Sequence, residues 1–339
     1  MKSGILSGKS YSEIAGILTD GGFSNIPIEK ITYWLYRRRI KDFMEMDNLS
    51  KTVRLYLNDH FLPGFYDPFQ TIISDDLSKK YIFSTRTGFP VESVYMPDNK
   101  RNTICISSQA GCRMGCHFCY TGSLGFKGNL EVDEILNQVG SIPEAAELTH
   151  VVFMGMGEPL DNYDNVLKTI EILTAQWGFS FSPRNITVST VGIKPLLGKF
   201  IKSTKCNIAI SIHSPFEEER SELIPSGGKY SVREILDLVM AHNWERHRRL
   251  TFQYIMINGF NDTDRHLEEL IRILKGTTIR INLMSYHPSE GSILLSSPDE
   301  RQWYFKKQLV QNGISASIRR SRGEDIGAAC GLLGRIIER

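Results

Sequence analysis

Short runs of β-branched and other apolar residues alternate with helical patterns from about residue 150 onward. The strand-like runs read HVVFMGM, NITVSTV, CNIAISI, LTFQYIMI, TIRINLM and ISASIRR, and the segments between them carry apolar residues three or four positions apart. NTICISSQ and EVDEILNQVGSI add a strand and a helix upstream. This serial order predicts one parallel α/β sheet of six or seven strands.

The pattern leaves two arrangements of that sheet open: a sheet curled towards a barrel and a doubly wound open sheet. Both bring the loops that follow the carboxyl ends of the strands to one edge, where α/β proteins carry their chemistry. We therefore expect the functional residues in those loops.

A different pattern covers the first 66 residues. SYSEIAGILTDGGF, IEKITYWLYRRRIKDFMEM and NLSKTVRLYLNDHF predict helices, with a Gly-Gly pair and a proline between the first two. We expect a small helical domain at 1–66, a β-rich connector at 67–98 and the βα units at 99–339.

One of the amino-terminal helices carries a basic patch beside aromatic residues. The basic residues are Arg37, Arg38, Arg39 and Lys41, and the aromatic neighbours are Tyr33, Trp34 and Tyr36. The patch predicts either an RNA-binding surface or the solvated face of an amphipathic helix. The whole chain has 40 Lys plus Arg against 38 Asp plus Glu, so a nucleic-acid partner has to contact a local basic face.

The sequence also bears on the compartment. No apolar run is long enough to span a bilayer, and the opening MKSGILSGKSYSEIAG lacks the apolar stretch and cleavage site of a secretory signal. We expect a cytoplasmic protein without membrane contact. In such a protein the six cysteines suit metal or redox chemistry better than a disulfide framework.

Three of the cysteines lie within nine residues, in GCRMGCHFC. Cys112, Cys116 and Cys119 follow the spacing C-x3-C-x2-C, with no second pair of cysteines or histidines nearby in the sequence. Structural zinc is normally held by four protein ligands, whereas three thiolates can hold a [4Fe-4S] cluster and leave one iron open. An iron-sulfur cluster is the favoured interpretation, and structural zinc is the alternative.

The cysteine spacing, with Phe118 before the last thiol, resembles the signature of radical S-adenosylmethionine (SAM) enzymes. The segment MGMGEP resembles the glycine-rich stretch that lies along SAM in those enzymes, which implies that Gly157 and Glu158 bind SAM. Five ordered blocks are similar to the RlmN/Cfr family of radical SAM adenosine methyltransferases, over nearly the whole chain. These blocks are CISSQAGCRMGCHFCYTGSLGFKGNL, VVFMGMGEPLDNYDNV, ITVSTVGIKP, IAISIHSPFEEERSELIP and IRRSRGEDIGAACG.

The resemblance implies a fold and a set of catalytic residues. The fold is a partial (β/α)6 radical SAM barrel with a small amino-terminal helical RNA-binding domain. Cys330 matches the cysteine that one SAM methylates, and a 5′-deoxyadenosyl radical from a second SAM then removes hydrogen from that methyl group. Cys105 matches the thiol that resolves the protein–RNA adduct through a transient disulfide with Cys330, and Glu92 matches the proton acceptor.

The same resemblance implies further SAM contacts at strand ends, namely Ser189, Ser211, Ile212, His213 and His287. His287 replaces a family asparagine, and Gly227-Gly228 replaces an asparagine-containing loop near the SAM site or the RNA entrance. Cys206 matches no family role, and we expect it to be a buried small apolar residue.

The implied function is methylation of an sp2 carbon of adenosine in large-subunit ribosomal RNA, with C2 favoured and tRNA as a second candidate substrate. The implied cofactors are a [4Fe-4S] cluster and two SAM per turnover, with flavodoxin or ferredoxin as electron donor and a monomer as the active form. One alternative is a C8 methyltransferase of Cfr type that confers antibiotic resistance. Another, of a different class, is a non-catalytic iron-sulfur or zinc protein that binds RNA.

Overall fold

Helices occupy the amino-terminal part of the chain, as the sequence predicts. The computed structural model describes residues 4–23, 25–99, 101–226, 230–244, 247–288 and 292–335, so the Gly227-Gly228 loop lies outside the described residues. Helix α1 (Tyr11–Asp20) begins at a capping box in which the Ser10 hydroxyl accepts a hydrogen bond from the Glu13 amide. The other elements of this part are two further α-helices, a 3-10 turn (Phe43–Glu45) and a pair of two-residue parallel strands: β1 (Gly4–Ile5), α2 (Ile28–Thr32) continued by a π-helical turn (Tyr33–Arg38), α3 (Lys51–His60) and β2 (Phe61–Leu62).

Three antiparallel strands follow, in the region where the sequence predicts a β-rich connector. They are β3 (Gln70–Ile73), β4 (Lys79–Phe83) and β5 (Val91–Met96). Strand β5 pairs antiparallel with β6 (Thr103–Ile106), which places Val94 opposite Cys105. The predicted connector therefore belongs to the main sheet, while the domain boundaries drawn at 66 and 98 stay predictions.

The cysteine loop lies between two short antiparallel strands that follow β6. These are β7 (Gln109–Gly111) and β8 (Phe126–Asn129), with the one-turn helix α4 (Tyr120–Ser123) between them. The remaining α-helices and strands alternate except where α9 follows α8 directly: α5 (Val132–Gly140), β9 (His150–Phe153), α6 (Tyr163–Thr174), β10 (Ile186–Thr190), α7 (Lys194–Ser203), β11 (Asn207–Ser211), α8 (Glu217–Leu223), α9 (Val232–Met240), β12 (Leu250–Met256), α10 (Asp264–Leu274), β13 (Arg280–Ser285), α11 (Asp299–Gln311) and β14 (Ala316–Arg319).

The main sheet has ten strands in the order β14-β13-β12-β11-β10-β9-β6-β5-β4-β3. Every pair from β6 to β14 is parallel, so seven parallel strands lie side by side. Helices pack on the sheet through their apolar faces, as in α10, where Leu267, Leu270 and Leu274 are buried. The partial barrel predicted from the sequence is confirmed, with β14 as its seventh parallel strand.

The carboxyl-terminal segment bridges from β14, at one edge of the sheet, to the antiparallel strands at the other edge. The Asp325 carboxylate accepts hydrogen bonds from the Ser74 hydroxyl (2.6 Å) and the Asp75 amide (3.2 Å). The Gly323 amide donates to Asp76 over 3.2 Å. These contacts hold the segment across the open side of the barrel. In the part of the chain that the structure describes, no helix is long and apolar enough to cross a membrane.

Candidate active site

The three clustered cysteines line one cavity at the carboxyl ends of the strands. Its empty volume is about 890 Å³, and Cys112, Cys116 and Cys119 form part of its wall. The loop between them is closed by backbone hydrogen bonds, from the Cys119 amide to the Cys116 carbonyl and from the Cys112 amide to the Gly125 carbonyl, both 3.1 Å. The loop geometry thus brings together the thiols that the spacing singles out.

The electrostatics of these thiols favour a bound cation. Burial raises the pKa of Cys112 to about 12 and also raises the pKa values of Cys116 and Cys119, and a charge on one thiol would disfavour a charge on the next. The fully buried Arg220 opposes this rise at Cys116. Three thiolates are stable here only beside a strong positive charge, which bound iron supplies.

The donor set fits the implied iron-sulfur cluster. Within the described ranges, no three His, Cys, Asp or Glu side chains converge as the ligands of a single ion would. The three cysteines line the cavity as separate points of its wall. Thiolates are the protein ligands of [4Fe-4S] clusters, and a [4Fe-4S] cluster accepts ligands at separate irons.

The glycine-rich segment after β9 forms another wall of the same cavity. Gly157 has a φ of +95°, and a Cβ atom there would lie 2.5 Å from the Gln109 Cβ, so only glycine fits. The Glu158 carboxylate accepts hydrogen bonds from the Leu160 amide (3.0 Å) and the Val191 amide (2.9 Å). Burial raises the pKa of Glu158 to about 7. Glu158 thus joins the ends of β9 and β10 and presents a carboxyl group to the cavity.

Two of the predicted serines contact the same side chain, Gln253, which the sequence motifs did not indicate. Ser189 on β10 and Ser211 on β11 both lie within hydrogen-bond distance of the Gln253 Oε1, at 3.1 and 3.4 Å. All three line the cavity. Ile212 does not line it; its side chain is fully buried in the core. An alternation count along β12 shows that Gln253 points inward, but the type of the residue alone does not indicate a ligand.

His213 presents one defined hydrogen-bond donor to the cavity. Its Nδ1 accepts from the Ile255 amide over 3.0 Å, which places the ring proton on Nε2. Phe118, from the cysteine loop, packs edge-on against the imidazole with ring centroids 4.6 Å apart. Burial, with a smaller contribution from Arg220, lowers the pKa of His213 to about 3. His213 is therefore neutral at physiological pH.

This environment predicts a pH-dependent stability difference. His213 has a pKa far below that of an unfolded histidine, so it stabilises the fold above pH ~6.5, and that stability is lost as the pH falls towards 3. His213→Asn keeps an acceptor for the Ile255 amide and tolerates the positive φ of 56°. Between pH 8 and pH 5 the wild type should lose about 2 kcal/mol more unfolding free energy than the variant. Urea unfolding at both pH values measures this, and equal losses would contradict a buried neutral imidazole.

Cys330 connects this cavity to a second one. It lines the first cavity together with the clustered cysteines, and the second together with Cys105 and His287. Burial, with a smaller contribution from Cys330, raises the pKa of Cys105 to about 12, and the charge of Arg319 opposes the rise. The predicted pair of thiols is thus brought together, although the cysteines lie more than 200 residues apart in the chain.

His287 takes part in the second cavity and not in the first. Its Nε2 lies 2.6 Å from the Ser321 hydroxyl and 3.7 Å from the Glu324 carboxylate. Burial lowers the pKa of His287. The structure therefore places His287 beside the Cys105–Cys330 pair, and its implied SAM contact stays a prediction.

The segment that carries Cys330 is fixed against the cysteine loop. The Tyr120 amide donates to the Gly331 carbonyl over 2.7 Å, and the Thr121 hydroxyl donates to the Leu333 carbonyl over 2.7 Å. At Gly331, with a φ of +88°, a Cβ atom would meet the Phe118 carbonyl oxygen at 3.0 Å. These contacts hold Cys330 close to Cys119, which immediately precedes α4.

Glu92 lies under the same segment. It is on β5, two residues from Val94 and therefore on the face that carries the partner of Cys105. The Gly334 amide donates to its carboxylate over 3.0 Å, and the Lys80 ammonium lies 3.5 Å away. Burial raises the pKa of Glu92 in spite of Lys80. A buried carboxylate with a raised pKa has the property that a proton acceptor needs.

The comparisons with known proteins agree with this geometry. Residues 106–274 match the Radical SAM superfamily, and residues 13–62 match the Ribosomal RNA large subunit methyltransferase N-terminal domain. A probable dual-specificity RNA methyltransferase RlmN of Porphyromonas gingivalis is 45% identical, covering 98% of this chain and 94% of that protein. Its counterpart in Phocaeicola vulgatus is 42% identical, covering 97% and 94%. The chain belongs to the RlmN family.

A solved structure supports the assignment at the level of the fold. The crystal structure of a radical SAM methyltransferase from Sphaerobacter thermophilus superposes with a TM-score of 0.91 at 34% identity, covering 98% of this chain and 99% of that one. The resemblance that the motifs indicate is therefore confirmed. Membership of the RlmN family, and through it of the radical SAM superfamily, implies a [4Fe-4S] cluster and SAM as cofactors.

The basic patch of this RlmN-family chain is partly engaged by the protein itself. Arg37 donates to the carbonyls of Phe179 (3.0 Å) and Gln176 (3.3 Å), in the loop after α6, and also to the Ser180 hydroxyl. Lys41 forms an ion pair with Asp67. The other two arginines are less committed: Arg38 lies over the Trp34 ring and Arg39 is half-buried. RNA binding by this patch stays a prediction.

The contacts of Arg37 predict an effect on stability. Arg37→Ala removes three hydrogen bonds to the barrel and should lower the unfolding free energy by about 1–2 kcal/mol. Arg38→Ala, one residue away and exposed, is the matched control and should change it by less than about 0.5 kcal/mol. Chemical denaturation of both variants measures the difference, and an Arg37 variant as stable as the control would contradict the docking contact.

Proposed function

We propose that this chain methylates C2 of an adenosine in large-subunit ribosomal RNA by way of a methyl group carried on Cys330. One observation carries the proposal: Cys330 lines the cavity of the clustered cysteines and also the cavity of Cys105. A thiol in that position can receive a group on one side and be attacked on the other. Relatives named as dual-specificity RNA methyltransferases RlmN, at 45% and 42% identity, support RNA as the substrate.

The residues around the first cavity bind and orient the cofactors. Cys112, Cys116 and Cys119 would hold the cluster, which together with SAM supplies an electron and a hydrogen-abstracting radical. Glu158 can accept from an ammonium group, and the Nε2–H of His213 can donate to a carboxylate or hydroxyl. Gln253 fixes the two serine hydroxyls beside them.

Cys330 and Cys105 carry the group transfer. The Cys330 thiol loses its proton and takes a methyl group from the first SAM. After a hydrogen atom is abstracted from that methyl group, the methylene radical bonds to C2, and the resulting adduct radical would give one electron back to the oxidised cluster. Glu92 accepts the proton that this carbon replaces. The Cys105 thiolate then attacks the Cys330 sulfur. The carbon leaves with the electron pair of its bond to sulfur and takes up a proton to become the methyl group of the base, while the two sulfurs are oxidised to a disulfide. Two external electrons restore both thiols.

The partners of the reaction follow from this chemistry. Two SAM are consumed per turnover, one as methyl donor and one as radical source. A small low-potential electron carrier such as flavodoxin or ferredoxin is the expected reductant. We expect tRNA as the second RNA substrate, a cytoplasmic location because the RNA is there, and a monomer as the active form.

A pulse of label tests the proposal. The reconstituted enzyme is incubated with methyl-labelled SAM, and the peptide that contains Cys330 is examined by mass spectrometry before and after RNA and reductant are added. The label should lie first on Cys330. It should then move to RNA, and this second step should occur only in the presence of reductant. A wild-type enzyme whose Cys330 stays unlabelled, while RNA gains the label, would contradict the carrier role.

A further inference from the structure

A third cavity opens at the amino ends of the parallel strands, opposite the cysteine loop. It begins at residues that start strands, including His150 on β9, Asn207 on β11 and Arg280 on β13. Its empty volume is about 2270 Å³, against about 890 Å³ for the cavity of the clustered cysteines. The interior of the barrel is therefore open from this side.

Small polar side chains line this interior. They are contributed by successive strands of the barrel: Thr187, Asn207, Thr251, Asn282 and Ser317. A closed (β/α)8 barrel is filled instead by bulky branched residues. An interior of this polarity holds either water or a polar ligand.

Arginines surround the mouth of the cavity. They come from five separate regions of the sequence: Arg101, Arg184, Arg249, Arg280, Arg320 and Arg322. Among the described residues that line the cavity, Asp98 is the one carboxylate. The chain as a whole is nearly neutral, at a formal charge of +2, so this concentration of positive charge is local.

The positive charges at the mouth repel one another. Burial and the charges of Arg249 and Arg319 lower the pKa of Arg101. Burial together with Arg101 and Arg249 lowers the pKa of His150 to about 4. Repulsion between like charges at this distance lowers the stability of the folded protein, and a bound anion would relieve that repulsion.

The basic mouth is continuous with the candidate active site. Met154 and Arg319 line all three cavities, and the Arg319 Nη1 lies 3.0 Å from the Met154 sulfur. Cys330 lines both cavities beyond this pair. A group that enters at the amino ends of the strands reaches Cys330 once it passes Met154 and Arg319.

We propose that the RNA substrate enters the barrel through this arginine-lined mouth, with its backbone phosphates on Arg101 and Arg249 and the target base extended past Met154 and Arg319 towards Cys330. This inference rests on the proposed function. Arginine binds phosphate strongly, and a base that reacts inside a protein leaves its stack to do so. An acidic electron carrier fits less well, because a carrier needs a surface near the cluster, whereas the cluster cysteines lie at the opposite end of the strands.

Salt-dependent RNA binding tests the entrance. The probe is protein-free large-subunit ribosomal RNA, and the variant is Arg101→Gln/Arg249→Gln. Each lost phosphate contact lowers the slope of log affinity against log salt by ~0.7 for single-stranded RNA, so we expect a slope lower by about 1.4 and an affinity lower by about tenfold or more. Arg101→Lys/Arg249→Lys should retain most of the slope because it keeps both charges.

The matched control is Arg265→Gln/Arg272→Gln, which removes the same charge from two exposed arginines of α10, paired with Glu219 and Glu269. It should bind RNA within about twofold of wild type. Thermal melting checks the fold of each variant. If the Gln variant is unstable, phenylglyoxal labelling of wild type replaces it, with RNA expected to protect Arg101 and Arg249.

The outcomes separate this inference from the proposed function. If the wild type transfers no methyl group to RNA under reducing conditions, the proposed function is wrong, and the proposed RNA entrance fails with it. If the wild type methylates RNA but the Gln variant binds RNA with unchanged affinity and unchanged salt slope, the proposed entrance is wrong and the proposed function stands. The same holds if RNA does not protect Arg101 and Arg249 from labelling. Unchanged RNA affinity with slower reduction by flavodoxin would instead make the mouth a docking site for the electron carrier.

Discussion

Cys330→Ala is expected to abolish methyl transfer to RNA, lowering the rate by about a thousandfold or more. The reason is the position of this thiol between the two cavities, where it is the carrier of the methyl group. Removal of a covalent carrier leaves no alternative route for the methyl group. Transfer of labelled methyl groups from SAM to ribosomal RNA, measured on reconstituted protein, reports the loss.

Cys206→Ala is the matched control, because it makes the same thiol-to-methyl change at a fully buried cysteine that lines neither cavity. Its cost should be limited to a small loss of stability. A Cys330→Ala enzyme that methylates RNA as fast as this control would remove Cys330 from the reaction.

Cys105→Ala is expected to trap a covalent complex of protein and RNA. Cys105 lines the second cavity with Cys330, and without its thiol nothing attacks the Cys330 sulfur to release the methylated base. Each enzyme molecule should react once and stay joined to its RNA. On a denaturing gel the complex should run as a protein band of lower mobility. Ribonuclease treatment should remove most of the attached RNA and bring the band back close to the mobility of the free protein.

Two companion reactions sharpen this result. The double variant Cys105→Ala/Cys330→Ala should form no adduct, because the carbon that joins protein to RNA is attached through Cys330. The Cys206→Ala control should release free product. Free methylated RNA from the Cys105 variant over many turnovers would show that another group resolves the adduct.

Periodicity in the sequence was sufficient for the strands and for most helices of the barrel. Helix α8 (Glu217–Leu223) was not predicted from periodicity, because its segment EEERSEL buries an arginine, Arg220, together with Leu223. A hydrophobic pattern counts Arg220 as exposed. The side chain is buried because its guanidinium donates to the Val191 carbonyl (2.6 Å) and the Tyr230 carbonyl (3.0 Å).

Motif resemblance found the residues of the site that lie in contiguous blocks, and it missed those that depend on the closure of the barrel. Gln253 and Arg319 are polar residues within strands, and alternation along a strand does not say which of its two faces turns towards the interior of the barrel. Their inward direction becomes meaningful only when neighbouring strands place Ser189 and Met154 beside them. The arginines of the mouth were missed because they come from five separate regions of the sequence, which only the folded barrel brings together.

The basic patch on the amino-terminal helix shows the opposite limit of local reasoning. Arg37, Arg38 and Arg39 form a run that predicts a nucleic-acid contact. One of them is engaged by a loop about 140 residues away in the chain, through the Gln176 and Phe179 carbonyls. A run of charged residues shows only that the charges are close together in the sequence. Whether a charge is available to a ligand depends on the groups that it contacts in the folded protein.

Nucleoside analysis of treated RNA tests the central claim most directly. Large-subunit ribosomal RNA from cells that lack the enzyme is incubated with reconstituted protein, SAM and reductant and then digested to nucleosides. Liquid chromatography coupled to mass spectrometry separates the nucleosides against 2-methyladenosine and 8-methyladenosine standards. We predict 2-methyladenosine, formed only when Cys330 and Cys105 are both present. 8-Methyladenosine would contradict the C2 assignment, and an adenosine methylated on nitrogen, or no methylated adenosine while SAM is cleaved, would contradict carbon methylation through Cys330.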